Sequence, residues 1–275
     1  MSLAFCSFSS GSSGNCYLIK TEKDAILIDA GISAKRIFRE LERTDTPPEM
    51  VQALFLTHEH HDHVNGARVL LNKIKKAECF ASEGTFSGTI ARDKYSKYSF
   101  EKDVPANRRT AIAPKETIKI GDLAIRAFRT LHDAEEPFGY HISSGDKRIA
   151  LITDTGAVTE EILDHIADAD ILVLESNHDT ELLRTCRYPF YLKQRILGER
   201  GHLSNKQASD ALLRLIDIHD KKRIVLLAHL SQENNEPALA ERTVLTELAR
   251  KNRYTGNSLY IGVLLRNVAS LIYRL

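Results

Sequence analysis

Cysteine is scarce and net charge is almost absent in this sequence, and each shortage excludes a class of protein. The four cysteines are far apart and form no C-x-x-C pair: Cys6, Cys16, Cys79 and Cys186. This spacing argues against a zinc knuckle and against a disulfide-stapled secreted domain. The formal net charge of the 275 residues is +1, so nucleic acid would have to be bound by a local basic patch rather than by bulk attraction.

Long apolar runs are absent as well. No stretch approaches the roughly 20 apolar residues of a membrane span, and the first residues lack the pattern of a signal peptide. The run Ser9–Asn15 lacks the lysine of a P-loop, so binding of a nucleoside triphosphate is not expected. With 43% hydrophobic and 27% charged residues, the composition is that of a globular protein. We therefore expect a cytoplasmic protein with no membrane partner.

Apolar periodicity predicts an alternation of short strands and helices. The expected strands are Cys16–Ile19, Ala25–Asp29, Ala53–Thr57, Cys79–Ala81, a pair within Ile118–Thr130, Gly139–Ser143, Arg148–Thr153, Ile171–Glu175 and Arg223–Ala228. The expected helices are Ala34–Glu42, Val64–Lys76, Thr159–Ala167, Thr180–Cys186, Asn205–His219 and Leu239–Asn252. With no internal repeat and no long linker, residues 1–275 are expected to form a single α/β domain. Alternation alone fits a doubly wound sheet as well as a sandwich of two sheets.

The most informative segment is the run Thr57-His58-Glu59-His60-His61-Asp62-His63, which begins where a buried strand ends. Alternate side chains of a strand point the same way, so His58 and His60 can reach one metal. Asp62 and His63 can reach a second metal as the chain turns into a helix. The segment is not the H-E-x-x-H helix of a zincin, because position 62 is Asp. Imidazoles with a carboxylate suit zinc, manganese or iron. An exposed loop that binds metal adventitiously is the alternative.

Further candidate ligands are His132, Asp154 and His229, each one step past an apolar strand. Taken singly, such residues are more often caps or turn residues. Taken with the histidine run, they indicate one shared metal site.

The order His-x-His-x-Asp-His, then His, then Asp, then His resembles the metallo-β-lactamase superfamily over nearly the whole chain. The resemblance implies an αββα sandwich, with two mixed sheets packed face to face and helices outside. It implies two divalent metal ions, zinc or manganese with iron as a further option, and the following ligands: His58, His60 and His132 for the first metal, Asp62, His63 and His229 for the second, and Asp154 as the bridge.

Asp29, in Ile28-Asp29-Ala30-Gly31, resembles the superfamily's first motif, a carboxylate that braces the metal loop. A turn residue at the end of a strand is the alternative. Two metals can activate a water and polarise an ester or phosphodiester, so the expected reaction is hydrolysis. Asp62 and His202 are the expected catalytic residues.

The segment Gly201-His202-Leu203-Ser204-Asn205 bears on the substrate. We expect His202 to face the metals and to contact the scissile phosphate or protonate the leaving oxygen, although it could be only a helix-entry residue. The pattern is similar to the nuclease branch of the superfamily, without the long β-CASP insertion or an arm for transfer RNA. It is closest to the bacterial YycJ (WalJ, VicX) exonuclease group, which the segments Ser9–Tyr17 and Glu175–Asp179 also resemble. That resemblance implies a 5′ to 3′ DNA exonuclease associated with repair.

Four residues are candidates for binding the substrate: Ser12, Asn15, His178 and Ser204. For the Ser/Gly run that holds Ser12 and Asn15, a flexible turn is the alternative. For His178 the alternatives are a residue beside the metal ligands or a buried, hydrogen-bonded histidine.

Two basic stretches that also carry aromatic residues, Arg92–Arg109 and Arg184–Arg200, could neutralise phosphates and stack on unpaired bases. A solvated surface is an equal interpretation of both. The leading hypothesis is therefore a metal-dependent nuclease whose partner is nucleic acid, expected to be DNA. The alternatives are an RNA-processing nuclease, a thioester or lactone hydrolase of the same fold, and a metal-binding scaffold without activity.

Overall fold

Two seven-stranded mixed β-sheets lie at the centre of the computed structural model, which describes residues 2–88, 104–253 and 259–275. The first sheet has the order β14-β1-β2-β3-β4-β5-β6. Strand β1 pairs antiparallel with β14 and with β2, and β2 pairs antiparallel with β3. Strands β3, β4, β5 and β6 run parallel to one another. The strands are β1 (Ala4–Ser9), β2 (Cys16–Lys20), β3 (Ala25–Ile28), β4 (Val51–Phe55), β5 (Glu78–Ala81), β6 (Arg109–Ala111) and β14 (Tyr273–Arg274).

The second sheet has the order β13-β12-β11-β10-β9-β8-β7. Strands β7 to β10 pair antiparallel, and β10 to β13 run parallel. The strands are β7 (Thr117–Ile120), β8 (Leu123–Arg129), β9 (Phe138–Ser144), β10 (Lys147–Ile152), β11 (Ile171–Glu175), β12 (Arg223–Ala228) and β13 (Leu259–Val263).

Nine α-helices are present in the described part of the chain: α1 (Ala34–Arg43), α2 (His61–Val64), α3 (Ala67–Lys73), α4 (Glu83–Gly88), α5 (Glu160–Ile166), α6 (Thr180–Thr185), α7 (Phe190–Leu197), α8 (Asn205–Ile218) and α9 (Pro237–Arg250). Short 3-10 turns lie at Pro48–Met50 and Ala106–Arg108. Among the helices described, none combines the length and the apolar character that crossing a bilayer requires.

The inner faces of the two sheets pack directly against each other. Phe5, Tyr17 and Phe55 of the first sheet share one buried cluster with Tyr140 and Val173 of the second. The rings of Phe55 and Tyr140 meet edge to face with their centroids 5.5 Å apart, a favourable geometry for aromatic pairs. The sandwich is therefore closed by an apolar layer between the sheets.

Helices cover both outer faces. Ile37 of α1 and Leu70 of α3 pack on the first sheet, while Leu163 of α5, Leu212 of α8 and Leu248 of α9 pack on the second. The layers are thus helix, sheet, sheet and helix. This confirms the expected αββα sandwich and shows that the doubly wound alternative is wrong.

The elements differ from the sequence predictions at several places. The single helix expected over Val64–Lys76 is two helices, α2 and α3, because the chain turns at Gly66. A Cβ at Gly66 would lie 2.1 Å from the carbonyl oxygen of Ile32, so only glycine fits this close approach. Strands β1 and β6 and helices α4 and α7 were not predicted.

Candidate metal centre

The candidate ligands come together where strands of both sheets end. Asp29 follows β3, Asp154 follows β10 and His229 follows β12, and each has a left-handed backbone, with φ of 59°, 56° and 55°. Residues other than glycine rarely adopt this conformation, and it costs free energy that the surrounding structure must offset. The strained backbone at three strand ends therefore turns these side chains toward one point.

His58, His60 and His132 form the first group of donors. One ring nitrogen from each lies within 4.8 Å of the others. His132 Nε2 is 3.3 Å from His60 Nδ1, and His58 Nε2 is buried with no hydrogen-bond partner in the described structure. Burial lowers the pKa of all three imidazoles, that of His132 to about 4. Neutral imidazoles with an unsatisfied nitrogen are the form in which histidine binds a metal.

Asp62, His63 and His229 form the second group, with their donor atoms within 4.8 Å of one another. Asp62 Oδ2 lies 3.5 Å from Nε2 of both His63 and His229. Burial alone would lower the pKa of both imidazoles, but the neighbouring carboxylates raise it, that of His229 to about 10. The electrostatics of this group thus favour a positive charge at the imidazoles.

Asp154 lies between the two groups. Its Oδ2 is 3.2 Å from His63 Nε2, and its Oδ1 is 3.8 Å from His132 Nε2 and 3.5 Å from His229 Nδ1. The carboxylate is buried, and burial would raise its pKa, but His229 and His63 hold that pKa well below its ordinary value. A buried anion surrounded by imidazoles, one with an orphaned nitrogen, fits divalent cations well, because cations would satisfy both.

The loop that carries the histidine run is braced by Asp29. Its Oδ2 is 2.7 Å from His63 Nδ1, and its Oδ1 accepts a hydrogen bond from the backbone N–H of Thr57 at 2.8 Å. The Thr57 hydroxyl lies 3.0 Å from Nδ1 of both His58 and His63. These contacts fix the orientation of two rings, as expected of a carboxylate behind metal ligands. The brace role of Asp29 stays a prediction that this geometry supports.

Gly31 permits the same loop to approach closely. A Cβ at this position would lie 1.6 Å from the carbonyl oxygen of Asp62. The backbone N–H of the preceding residue, Ala30, donates a hydrogen bond to the carbonyl oxygen of His63 at 2.8 Å. No other residue could occupy position 31 without moving Asp62.

Asn15 is buried beside the metal candidates instead of lining an open cleft. Its side-chain amide lies 3.0 Å from His63 Nε2 and 3.4 Å from Asp62 Oδ2, and its oxygen accepts from the N–H of Gly11. This position favours bracing over direct contact with a substrate. Ser12 is exposed in the same loop. A substrate-binding role for either residue stays a prediction.

His202 stands next to the metal candidates, and its partner Glu175 was not among the site residues inferred from the sequence. Nδ1 of His202 is 2.7 Å from Glu175 Oε1, and its ring centroid is 5.0 Å from that of His132. Glu175 Oε1 is also 3.0 Å from His229 Nδ1. Burial would raise the pKa of Glu175, but His202 and His229 hold it below its ordinary value. The side chain of His202 is 19% exposed, so the ring remains accessible while Glu175 fixes its orientation.

His178 and Ser204 come together through a single β-bridge. The hydroxyl of Ser204 caps α8: it accepts from the N–H of Gln207 and lies 2.7 Å from the Gln207 side-chain oxygen. His178 is fully buried, and neither ring nitrogen has a hydrogen-bond partner within the described residues. Burial lowers its pKa to about 4. The structure therefore gives Ser204 a capping task, and the substrate-binding roles of both residues stay predictions.

The basic stretches are described unequally. Most of the first, residues 92–103, lies outside the described residues. Arg108 at its end is not a free surface cation, because its guanidinium donates to the backbone oxygens of Leu71, Ile74 and Ala77 at the end of α3. The second stretch forms α6, α7 and the turn before His202. Only this second stretch can be placed against the metal candidates.

A family model described as β-lactamase superfamily domain matches residues 24–230. The exodeoxyribonuclease WalJ of Streptococcus pneumoniae serotype 2 (strain D39) is 37% identical over 247 residues, which cover 90% of this chain and 88% of WalJ. The exodeoxyribonuclease YycJ of Bacillus anthracis is 33% identical over 261 residues, which cover 95% of each chain.

Among solved structures, the metallo-β-lactamase fold protein YhfI from Bacillus subtilis superposes with a TM-score of 0.70. It is 15% identical, and the match covers 99% of both chains. At this identity the likeness shows the fold alone.

Proposed function

We propose that this chain is a divalent-metal-dependent exonuclease that hydrolyses DNA from the 5′ end. It belongs to the β-lactamase superfamily and, within it, to the family of the WalJ and YycJ exodeoxyribonucleases. The relatives named exodeoxyribonuclease match nine-tenths or more of the chain, which supports a shared activity. The observation that carries the proposal is the Glu175–His202 pair beside the candidate metal ligands.

The proposed centre holds two divalent ions, zinc or manganese. His58, His60 and His132 would hold one ion, Asp62, His63 and His229 the other, and Asp154 would lie between them. When bound, such ions supply Lewis acidity and an activated water. The first group has imidazoles only and the second adds a carboxylate, so the two positions differ in donor hardness.

His202 is assigned the proton transfer. Because Nδ1 of His202 is held by Glu175 at 2.7 Å, the other ring nitrogen, Nε2, is the one available to a substrate. The buried Glu175 carboxylate fixes the orientation of the ring, from which Nε2 can give a proton to the leaving oxygen of a phosphodiester. A thioesterase, whose thiolate leaving group needs little protonation, has no comparable need for this pair.

The test is a nuclease assay with the metal-loaded protein. DNA and RNA, single- and double-stranded, are labelled at the 5′ or the 3′ end and incubated with manganese or zinc. Release of mononucleotide from 5′-labelled DNA before the 3′ label is lost is the expected result. Cleavage of RNA alone, or hydrolysis of lactones without any nucleic acid, would overturn the assignment.

Two variants sharpen this assay. Asp62→Ala removes a candidate ligand and should abolish cleavage. His61→Ala is its matched control, because His61 lies in the same run but is exposed and belongs to none of the ligand groups found in the described structure. Equal loss of activity in both variants would indicate a damaged loop instead of a lost ligand.

A further inference from the structure

Helix α7, Phe190–Leu197, is unusual because it buries none of its residues. Its first turn presents two adjacent aromatic side chains to solvent, Phe190 at 77% and Tyr191 at 74% exposure. Of the large hydrophobic side chains in residues 2–88, 104–253 and 259–275, only Leu271 is comparably exposed, at 79%. Two exposed rings within one helical turn give more apolar surface than an isolated surface residue does.

The exposed face of α7 continues from the rings to cationic and polar groups. Arg195 follows Tyr191 by four positions, so the two lie on the same side of the helix, and Gln194 stands in the same relation to Phe190. Leu192 and the residues on its side are half-buried against the protein. The face therefore combines an aromatic end with a polar end, and it has no continuous apolar stripe.

The polar end of this face reaches the metal candidates. Arg195 Nε forms an ion pair with Asp133, whose Oδ1 is 3.3 Å from Nε2 of His132. Arg200, after the helix, donates from Nε to the carbonyl oxygen of His132 at 3.0 Å. At the rise of an α-helix, the rings lie about 6 to 8 Å along the axis from Arg195, the residue that pairs with Asp133.

The charge of the segment matches an anionic partner. Residues 184–200 contain five cations and a single acidic residue, Glu199. Arg187, just before the helix, is exposed and makes no side-chain hydrogen bond or ion pair with any residue that the structure describes. A cation near exposed rings is the combination that single-stranded nucleic acid uses, with phosphates on the charges and bases on the rings.

We propose that the exposed face of α7 is a platform on which the unpaired strand of the nucleic-acid substrate stacks on its way to the metal centre. Phe190 and Tyr191 contact bases, and Arg187 contacts phosphate. The inference rests on the proposed nuclease function and adds a preference for single-stranded ends. A continuous apolar stripe would instead favour a membrane surface, and Gln194 and Arg195 interrupt it.

The test measures binding of a fluorescent single-stranded oligonucleotide by anisotropy, with phosphorothioate linkages that resist hydrolysis. The metal-loaded wild type is compared with the double variant Phe190→Ala/Tyr191→Ala. Loss of stacking should weaken binding by about 5- to 150-fold for each base that loses its ring. Binding of a blunt duplex, whose bases are already stacked, should weaken less.

Two control variants separate stacking from loss of apolar surface. Phe190→Tyr/Tyr191→Phe keeps both rings and should bind like the wild type. Leu271→Ala removes an equally exposed apolar side chain elsewhere and should also bind like the wild type. Metal content and thermal unfolding of each variant report whether the fold is intact. Unchanged single-strand binding in the alanine double variant overturns the platform.

Other occupants of the face give different results. If the wild type is a dimer that the double variant converts to a monomer while oligonucleotide binding is unchanged, the rings form a subunit interface. If the double variant loses binding to anionic phospholipid vesicles and keeps oligonucleotide binding, the face is a membrane contact. Either result overturns the platform.

Hydrolysis of bis(p-nitrophenyl) phosphate by the metal-loaded wild type distinguishes failure of the platform from failure of the proposed function. This small phosphodiester has no unpaired strand that could extend from the metal centre to the rings of Phe190 and Tyr191. If the wild type hydrolyses this compound but the alanine double variant binds the single strand as tightly as the wild type does, the platform alone is wrong. If no phosphodiester is hydrolysed with any divalent metal, the nuclease assignment is wrong whatever the binding data show.

Discussion

Oδ2 of Asp154 lies 3.2 Å from Nε2 of His63. This contact links the two sheets, because Asp154 follows β10 of the second sheet and His63 lies in α2, which follows β4 of the first. Asp154 also shares a ligand group with His58. One carboxylate therefore reaches donors of both proposed metal positions.

The first prediction concerns metal content. Replacing Asp154 with Ala should empty both positions, because the variant loses the anion that each position shares. Elemental analysis of the purified variant should show less than one bound metal per chain, against two for the wild type and for His61→Ala. Two metals bound to Asp154→Ala would rule out the bridging role.

The second prediction separates the two histidines that contact Glu175. His202→Ala should keep both metals and the fold but lose about 10²- to 10⁴-fold in the rate of phosphodiester cleavage, the usual contribution of a positioned acid or base. His229→Ala should lose metal as well as activity. Metal analysis and steady-state kinetics of the two variants check this. Loss of metal from His202→Ala with retention in His229→Ala would reverse the two assignments.

The third prediction is a pH dependence of metal binding. Neighbouring carboxylates raise the pKa of His63 and of His229, the latter to about 10. Both imidazoles therefore carry the second proton of the positively charged form in the metal-free chain at neutral pH. A metal must displace that proton, so its affinity should rise with pH up to the pKa and binding at neutral pH should release protons. Calorimetry in buffers of different ionisation enthalpy measures the release. An affinity that does not change with pH would contradict it.

The fourth prediction treats Arg108 as a structural residue. Its guanidinium donates to three backbone oxygens beside the end of α3, so Arg108→Ala should lower the free energy of unfolding by about 1 to 3 kcal/mol. Chemical denaturation gives this value. Arg109→Ala is the matched control, because the Arg109 side chain makes no hydrogen bond with any part of the chain that the structure describes. A flatter salt dependence of nucleic-acid binding without loss of stability would instead make Arg108 a phosphate contact.

The candidate ligands could be predicted because each stands at the end of an apolar strand, where the sequence pattern is strong. The pattern could not reveal Glu175 as a partner of His202. As the last residue of β11 it looks like any polar strand end, and its importance arises from tertiary contacts with two histidines. A single sequence does not contain those distances.

Helix α7 and strand β1 were missed for opposite reasons. Helix α7 buries no residue, so it has no apolar period from which a helix can be predicted. Strand β1, Ala4–Ser9, is buried on both faces, so it does not alternate, and its serines resemble a loop. The break at Gly66 was missed because it depends on the nearness of Ile32, far away in sequence.

The ligand groups draw on both sheets, so the bound metals would also act as cross-links across the sandwich. The Tyr140 hydroxyl donates to the Leu56 carbonyl at 2.5 Å, which ties the second sheet to the residue just before the histidine run. Because a ligand that binds only the folded state adds its binding free energy to stability, a chelator should lower the melting temperature. Tyr140→Phe removes this hydrogen bond and leaves every candidate ligand in place, so it should lower the affinity for metal. The spacing between the two sheets is in this sense a determinant of metal affinity.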